Sequence, residues 1–144
     1  MEAVSLIRAP WREPVEVLSA FADEPFAVGL LSDGTGPRGR WSYVARGPAT
    51  ALTLGPDDPA DPFTALATLV GPSGAHDPEG PPFQGGVAGL ASYDLGLRVE
   101  DLGLDHRPGW PHLACADYRA VLAFDHKSRS VMGVGRGGDA AEAT

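Results

Sequence analysis

The chain has 144 residues and a formal net charge of −8, with 19 Asp and Glu residues against 11 Lys and Arg residues. Such an acidic chain lacks the positive surface on which nucleic acids and anionic membranes bind, so the charge argues against both kinds of partner. The length suits one domain with its own core, and the lack of a signal peptide, a membrane-spanning stretch or a second cysteine beside Cys115 predicts a cytoplasmic protein.

The first 31 residues predict a helix between two strands. A strand is predicted at 4–7, and a helix begins at Pro14 because proline is favoured in the first helical turn. Apolar residues at helical spacing predict the buried stripe of this helix: Val15, Leu18 and Phe21. The run 26–31 alternates in hydrophobicity, which predicts a strand with one buried face.

The middle of the chain predicts a loop, two strands and a second helix. A glycine-rich loop at 32–39 precedes two predicted strands between residues 40 and 54. Asp61 is a suitable N-cap for a helix whose first residue is Pro62. The predicted apolar stripe of this helix consists of Phe63, Leu66, Ala67 and Val70. The proline-rich segment 71–82 is expected to be mobile.

Glycine content separates the next segment from an ordinary strand. Three glycines interrupt residues 83–93: Gly85, Gly86 and Gly89. Small residues at these positions predict that neighbouring backbone approaches closely there. Asp94 is predicted to cap a short helix, and the runs 118–124 and 131–134 predict an antiparallel hairpin. Residues 136–144 are interpreted as a flexible tail.

The order of these elements predicts the fold class. About seven strands and three short helices are predicted, and the strands do not alternate strictly with the helices. This order favours an α+β fold with largely antiparallel strands over a doubly wound parallel sheet.

Common catalytic and metal-binding motifs are incomplete. The run 133–138 matches a dinucleotide-binding pattern, but only six residues follow it, too few for the required helix. The four histidines lack metal-ligand spacing, so no metal site is predicted. Residues 125–126, Asp-His, are interpreted as a hairpin turn because no nucleophile motif accompanies them. The run 40–43, Arg-Trp-Ser-Tyr, could bind an aromatic or carboxylate ligand, although ordinary sheet packing also explains it.

One segment resembles a known family. Residues 82–100 read Pro-Phe-Gln-Gly-Gly-Val-Ala-Gly-Leu-Ala-Ser-Tyr-Asp-Leu-Gly-Leu-Arg-Val-Glu and are similar to the N-terminal region of aminodeoxychorismate synthase component I, a close relative of anthranilate synthase component I. Matching features in the same order extend the resemblance over about residues 4–135. Its structural signature comprises Gly85, Gly86, Gly89, Tyr93 and Asp94.

The resemblance implies that residues 1–135 form an N-terminal domain of an enzyme that aminates chorismate to 4-amino-4-deoxychorismate, for p-aminobenzoate and folate biosynthesis. The family enzyme uses Mg²⁺ and takes ammonia from a glutamine amidotransferase partner. Its catalytic lysine lies in a Pro-Ile-Lys-Gly-Thr motif of a C-terminal chorismate-binding domain, and this chain lacks that motif. We therefore expect no catalytic residue, metal or cofactor in the chain and no activity from it alone.

The same resemblance implies a structural role. The domain is expected to be half of a β-sandwich that the chorismate-binding domain completes, in cis or as a separate chain. The isolated half is then expected to expose an apolar face and to self-associate. Packing of the glycine segment inside the sandwich predicts that Gly86→Val unfolds the domain or blocks its assembly.

The superfamily also implies an aromatic amino acid site, at which tryptophan regulates anthranilate synthases. The matching positions here are Leu31, Ser32, Asp33, Arg40, Trp41 and Ser42. Ser32-Asp33 replaces the Glu-Ser pair of the family, which argues against regulation by tryptophan, although an aspartate can hold an ammonium group.

Two alternatives remain open from the sequence. One is a stand-alone module that binds an aromatic amino acid near Asp33, Arg40 and Trp41. The other is the N-terminal domain of anthranilate synthase component I. Gln84 and the run 93–96 favour the aminodeoxychorismate branch.

Overall fold

The computed structural model describes residues 3–105 and 108–137. Within these ranges the elements are β1 (Val4–Ala9), α1 (Pro14–Ala20), β2 (Val28–Leu30), β3 (Trp41–Ala45), β4 (Thr50–Leu54), α2 (Pro62–Val70), β5 (Gly86–Ala91), a 3₁₀ helix (Tyr93–Arg98), β6 (Leu113–Tyr118), β7 (Ala120–Asp125) and β8 (Ser130–Arg136). Every strand pair is antiparallel, so the predicted α+β class is confirmed.

The strands form two sheets joined through two short connections. The five-stranded sheet has the order β1-β8-β7-β3-β2, and the three-stranded sheet has the order β4-β6-β5. The chain passes from the larger sheet to the smaller one between β3 and β4, at residues 46–49, and returns between β6 and β7, at Arg119. One buried cluster draws residues from both sheets: Tyr43, Ala45, Ala116, Tyr118, Val121, Ala123 and Val134. The Tyr118 hydroxyl donates a hydrogen bond to the Phe26 carbonyl (2.6 Å), which ties the loop before β2 to β6.

Both α-helices bury a stripe that differs from the predicted one. In α1 the residues facing the sheet are Pro14, Val17, Leu18 and Phe21, while Val15 is 57% exposed. In α2 they are Pro62, Ala65, Leu66 and Leu69, while Phe63 and Val70 are exposed. Each buried stripe starts at the first-turn proline and continues at the third, fourth and seventh following positions, as helix geometry requires. The buried proline determines which side of each helix faces the sheet, and the sequence prediction placed that side incorrectly.

Three other predictions need correction. The segment around Gly89 is a regular strand, β5, and not only a site of close approach. The central strand β6 was not predicted, because its small residues after Pro111 carry a weak hydrophobic pattern. Asp94 lies in the first turn of the 3₁₀ helix, and Ser92 occupies the cap position.

Gly89 explains how β5 packs against β6. A Cβ atom there would collide with the Ala114 carbonyl oxygen and with Cys115. At Gly86 a Cβ atom would meet no neighbour, and the constraint is its backbone φ of 116°. The predicted close approach is therefore present at Gly89 and at Gly85, where a Cβ atom would lie 2.7 Å from the Tyr118 carbonyl oxygen, and absent at Gly86. Of the predicted tail, residues 136 and 137 are described, with Arg136 in β8, and residues 138–144 lie outside the described ranges.

Candidate functional site

The predicted ligand-binding residues meet at one end of the five-stranded sheet. The loop 32–39 folds against the start of β3 and against the turn between β7 and β8. Ser42, which is fully buried, accepts a hydrogen bond from the Ser32 backbone N–H (2.9 Å). Its Oγ also lies 2.8 Å from Nε2 of His126. These bonds fasten the loop to both strands.

Arg40 is engaged by a carboxylate of this chain. Its Nε and Nη2 donate to the two oxygens of Asp125 at 2.9 and 2.6 Å, and the Asp125 side chain is 6% exposed. These bonds from Arg40 are the main reason that the pKa of Asp125 falls to about 2. The guanidinium also lies 5.0 Å from the centre of the Trp41 ring. Two donors of the planar fork that could have bound a ligand, Nε and Nη2, are therefore engaged by Asp125.

Asp33 lies at the exposed side of the same loop. One carboxylate oxygen accepts from the Thr35 N–H (2.9 Å) and the other from the Thr35 hydroxyl (2.7 Å). These bonds lower the pKa of Asp33, the backbone bond most strongly. Leu31 is exposed beside it. Asp33 is thus an ionised, accessible carboxylate that can still attract a cationic group.

Trp41 serves mainly in packing. Its ring stacks on Tyr43, with centroids 6.3 Å apart and planes 14° apart. Tyr43 in turn contacts the Phe83 ring edge-on at 5.5 Å and accepts a hydrogen bond from the Phe83 N–H. This supports the interpretation of the aromatic residues as ordinary sheet packing.

Sequence reasoning missed two residues of this site. Asp125 at the end of β7 and His126 in the following turn hold Arg40 and Ser42, and Trp11 covers the His126 ring at 5.5 Å. No local signal places these residues here, because the register of β3 and β7, which brings Trp41 opposite Asp125, is a long-range property.

The family signature lies in the other sheet and does not join this site. Gly85 precedes β5, Gly86 begins it, and Tyr93 and Asp94 begin the 3₁₀ helix. Tyr93 is 83% exposed, whereas Gln84 before β5 is buried.

Gln84 ties down the segment that was predicted to be mobile. Its amide oxygen accepts from the Asp77 N–H (2.9 Å), and its amide nitrogen donates to the carbonyls of Asp77 and Pro81 (2.7 and 3.0 Å). A side chain with three satisfied bonds in a buried position fixes the end of this loop.

The described ranges offer no site for a metal ion. Across residues 3–105 and 108–137, no group of three or more His, Cys, Asp or Glu side chains could hold one. The Mg²⁺ that the resemblance implies therefore has no fitting ligand set in the described part of the chain. No helix in the same ranges has the length and hydrophobicity needed to cross a membrane.

Comparisons with known proteins agree with the α+β architecture. No family model matches the sequence. The chain is 34% identical over 127 residues to anthranilate synthase component 1 of Streptomyces coelicolor, a match covering 83% of this chain and 24% of that protein. The crystal structure of anthranilate synthase component I from Streptococcus pneumoniae TIGR4 shares the fold, with a TM-score of 0.57 and 21% identity over 78% of this chain and 32% of that one. The chain thus spans about a quarter of the curated relative, and it is homologous to part of anthranilate synthase component I.

Proposed function

We propose that this chain is the non-catalytic N-terminal domain of a chorismate-aminating synthase, and that its role is to scaffold the chorismate-binding domain. The observation that carries the proposal is the extent of the homology, which takes in most of this chain but only 24% of anthranilate synthase component 1. The described residues contain no metal site, and the sequence lacks the lysine motif of the catalytic domain.

The exposed edge of the three-stranded sheet supports a scaffolding role. β5 is an outer strand, and its last three residues, Gly89 to Ala91, are exposed. Leu90, Tyr93 and Trp110 present large apolar side chains to solvent in this region. An uncharged, exposed edge strand is rare in proteins that fold alone, because it can pair with another chain. We propose that the chorismate-binding domain covers this edge.

The two branches of the family differ in their reaction product, which is either 4-amino-4-deoxychorismate or anthranilate. The buried Gln84 and the signature at 93–96 favour 4-amino-4-deoxychorismate, and the glutamine amidotransferase component is then the expected source of ammonia. The second candidate is anthranilate synthase component I, which the 34% identity to a protein of that name favours.

A stand-alone aromatic amino acid module is the less well supported alternative. Such a site needs a cation for the ligand's carboxylate, and Nε and Nη2 of Arg40 already bind Asp125. Isothermal titration of the chain with tryptophan is expected to show no micromolar binding. Saturable binding that Asp33→Asn removes would support the module instead.

Reconstitution from two pieces tests the scaffold. The 144-residue chain is mixed with the part of the Streptomyces coelicolor protein outside the matched 127 residues, and chorismate consumption is followed with ammonium and Mg²⁺. Neither piece is expected to react alone, and the mixture is expected to associate and consume chorismate.

Two matched variants locate the contact. Leu90→Asp places a charge on the exposed edge of β5, whereas Val15→Asp places one on the exposed side of α1. Because both side chains are exposed, neither change is expected to lower the melting temperature much. Only Leu90→Asp is expected to weaken association and activity. Chorismate consumption by the chain alone, or a mixture that neither associates nor reacts, would refute the scaffold.

A further inference from the structure

A cavity of about 690 Å³ lies on the face of the five-stranded sheet that α1 partly covers. Its floor includes Val44 of β3 with Leu122 and Phe124 of β7, and its helical wall includes Val17 and Phe21. The volume falls within the range of pockets that hold small organic molecules. Two aromatic rings and branched aliphatic side chains form an interior suited to an apolar, ring-bearing body.

Every charged side chain that lines this cavity is an arginine: Arg12, Arg46 and Arg119. Three positive charges around one apolar cavity contrast with a chain whose net charge is −8. Arg46 pairs with Glu24 through Nε and Nη2, so its Nη1 group is not part of that pair. Arg12 has no hydrogen bond or ion pair to any residue within 3–105 or 108–137. An arginine near an apolar pocket is a strong donor for a carboxylate or sulfonate.

We propose that this cavity binds a small organic anion, with an aromatic or alicyclic body on the sheet floor and one acidic group at the arginines. A simple phosphate ion would leave the apolar floor empty, and an uncharged ring would leave the Arg12 guanidinium without an anion. The cavity contains none of the residues Leu31 to Ser42 that the family resemblance singles out. The inference is therefore independent of the aromatic amino acid site.

A pair of fluorescent probes with the same ring skeleton tests both parts of the proposal. 1-Anilinonaphthalene-8-sulfonate carries the acidic group, and N-phenyl-1-naphthylamine lacks it. Titration of the 144-residue chain is expected to show one saturable site for the sulfonate. The uncharged probe is expected to bind about tenfold more weakly, since one charge-assisted hydrogen bond is worth at least that factor. Naphthalene-1-acetate is expected to displace the sulfonate.

Variants assign the binding to this cavity. Arg12→Gln is expected to weaken sulfonate binding about tenfold and leave the uncharged probe unchanged. Arg38→Gln, which changes an exposed arginine outside the cavity, is the control and is expected to change neither.

A filling substitution tests the apolar part. Ala49→Trp fills the cavity from an exposed lining position, and Ala51→Trp adds the same ring at an exposed position outside it. Only Ala49→Trp is expected to abolish binding of both probes, with circular dichroism showing an intact fold.

Three outcomes would overturn the proposal. One is equal affinity for the two probes, and another is sulfonate binding that survives Ala49→Trp. The third is a dimer, detected by light scattering, that the sulfonate dissociates, because the face would then belong to a second copy of the chain.

Discussion

The five-stranded and three-stranded sheets are stabilised in different ways. In the larger sheet, Phe124 and Val134 are completely buried, and α1 adds a second layer of apolar contacts on one face. In the smaller sheet, β6 is buried, but β5 consists of Gly, Val, Ala and Leu, and its last three residues are exposed. The smaller sheet has an apolar layer of its own, in which α2 packs over Leu54, Leu113 and Cys115. Its outer strand β5 depends in addition on close backbone approach at Gly89.

The difference indicates which surface of the domain can associate with another chain. A buried side-chain core stabilises a sheet without help from other chains. An uncharged outer strand beside exposed Tyr93 and Trp110 is instead a surface on which another chain can add. The comparison therefore assigns association to the exposed end of β5 in the smaller sheet.

Gly89→Val is expected to give the largest effect, because it attacks the smaller sheet at its tightest contact. The added side chain would collide with the Ala114 carbonyl and with Cys115. Overpacking against backbone is expected to cost about 3 kcal/mol, seen as a lower thermal midpoint by circular dichroism. Hydrogen exchange should show β4, β5 and β6 opening first.

Two glycine controls separate collision from backbone strain. Gly86→Ala meets no neighbour and pays only for its φ of 116°, an expected cost of about 1–2 kcal/mol. Gly55→Ala meets no neighbour, its φ is not in the left-handed region, and it is expected to cost under about 0.5 kcal/mol. A Gly89→Val midpoint no lower than that of Gly86→Ala would contradict the close approach.

Arg98→Gln removes a tether of the smaller sheet. Arg98 donates to Nδ1 of the buried His112 (2.9 Å) and to the carbonyls of Ala60 and Gly55 (3.0 and 2.6 Å). Loss of these bonds is expected to lower the free energy of unfolding by about 2 kcal/mol, measured by urea denaturation. Arg129→Gln, which changes an exposed arginine on the larger sheet, is the control. Equal effects of the two substitutions would refute a tether at Arg98.

Long-range side-chain contacts such as those of Arg98 could not be predicted from the sequence. Local patterns gave the α+β class, the Asp61 cap and the hairpin of β7 and β8. The Arg40–Asp125 pair joins residues 85 positions apart, so no local pattern contains it. The helix stripes were misplaced because their phase depends on whether the first-turn proline is buried, which is a tertiary property.

Acid is expected to weaken the larger sheet through Asp125. Its pKa falls from 3.8 unfolded to about 2 in the folded chain, so the Arg40 pair stabilises the fold fully above the unfolded value. As pH falls through the folded pKa the contribution is lost. We expect a loss of about 1–2 kcal/mol between pH 5 and pH 2, because solvent screens the partly exposed Arg40. Urea denaturation at several pH values measures it, and Asp125→Asn should remove this step.

The Arg46–Glu24 pair is a matched control for this effect. Its two hydrogen bonds, of 2.8 and 2.6 Å, reproduce the geometry of the Arg40 pair, but both of its side chains are substantially exposed. Glu24→Gln is expected to cost under about 0.5 kcal/mol, as exposed pairs generally do. An acid step that survives Asp125→Asn would exclude the Arg40 pair as its cause.

Phe63→Ser is expected to give the smallest effect, although it removes the largest side chain of α2. Phe63 is 55% exposed, because the buried Pro62 turns Leu66 and Leu69 toward the sheet in its place. The change is expected to shift the free energy of unfolding by under about 0.5 kcal/mol, whereas Leu66→Ala on the same helix should cost about 2 kcal/mol. Equal losses of unfolding free energy for Phe63→Ser and Leu66→Ala would instead support the apolar stripe that was predicted from the sequence. The expected inequality would show that Phe63 lies on the solvent-facing side of α2, where a single apolar side chain adds little to the stability of the fold.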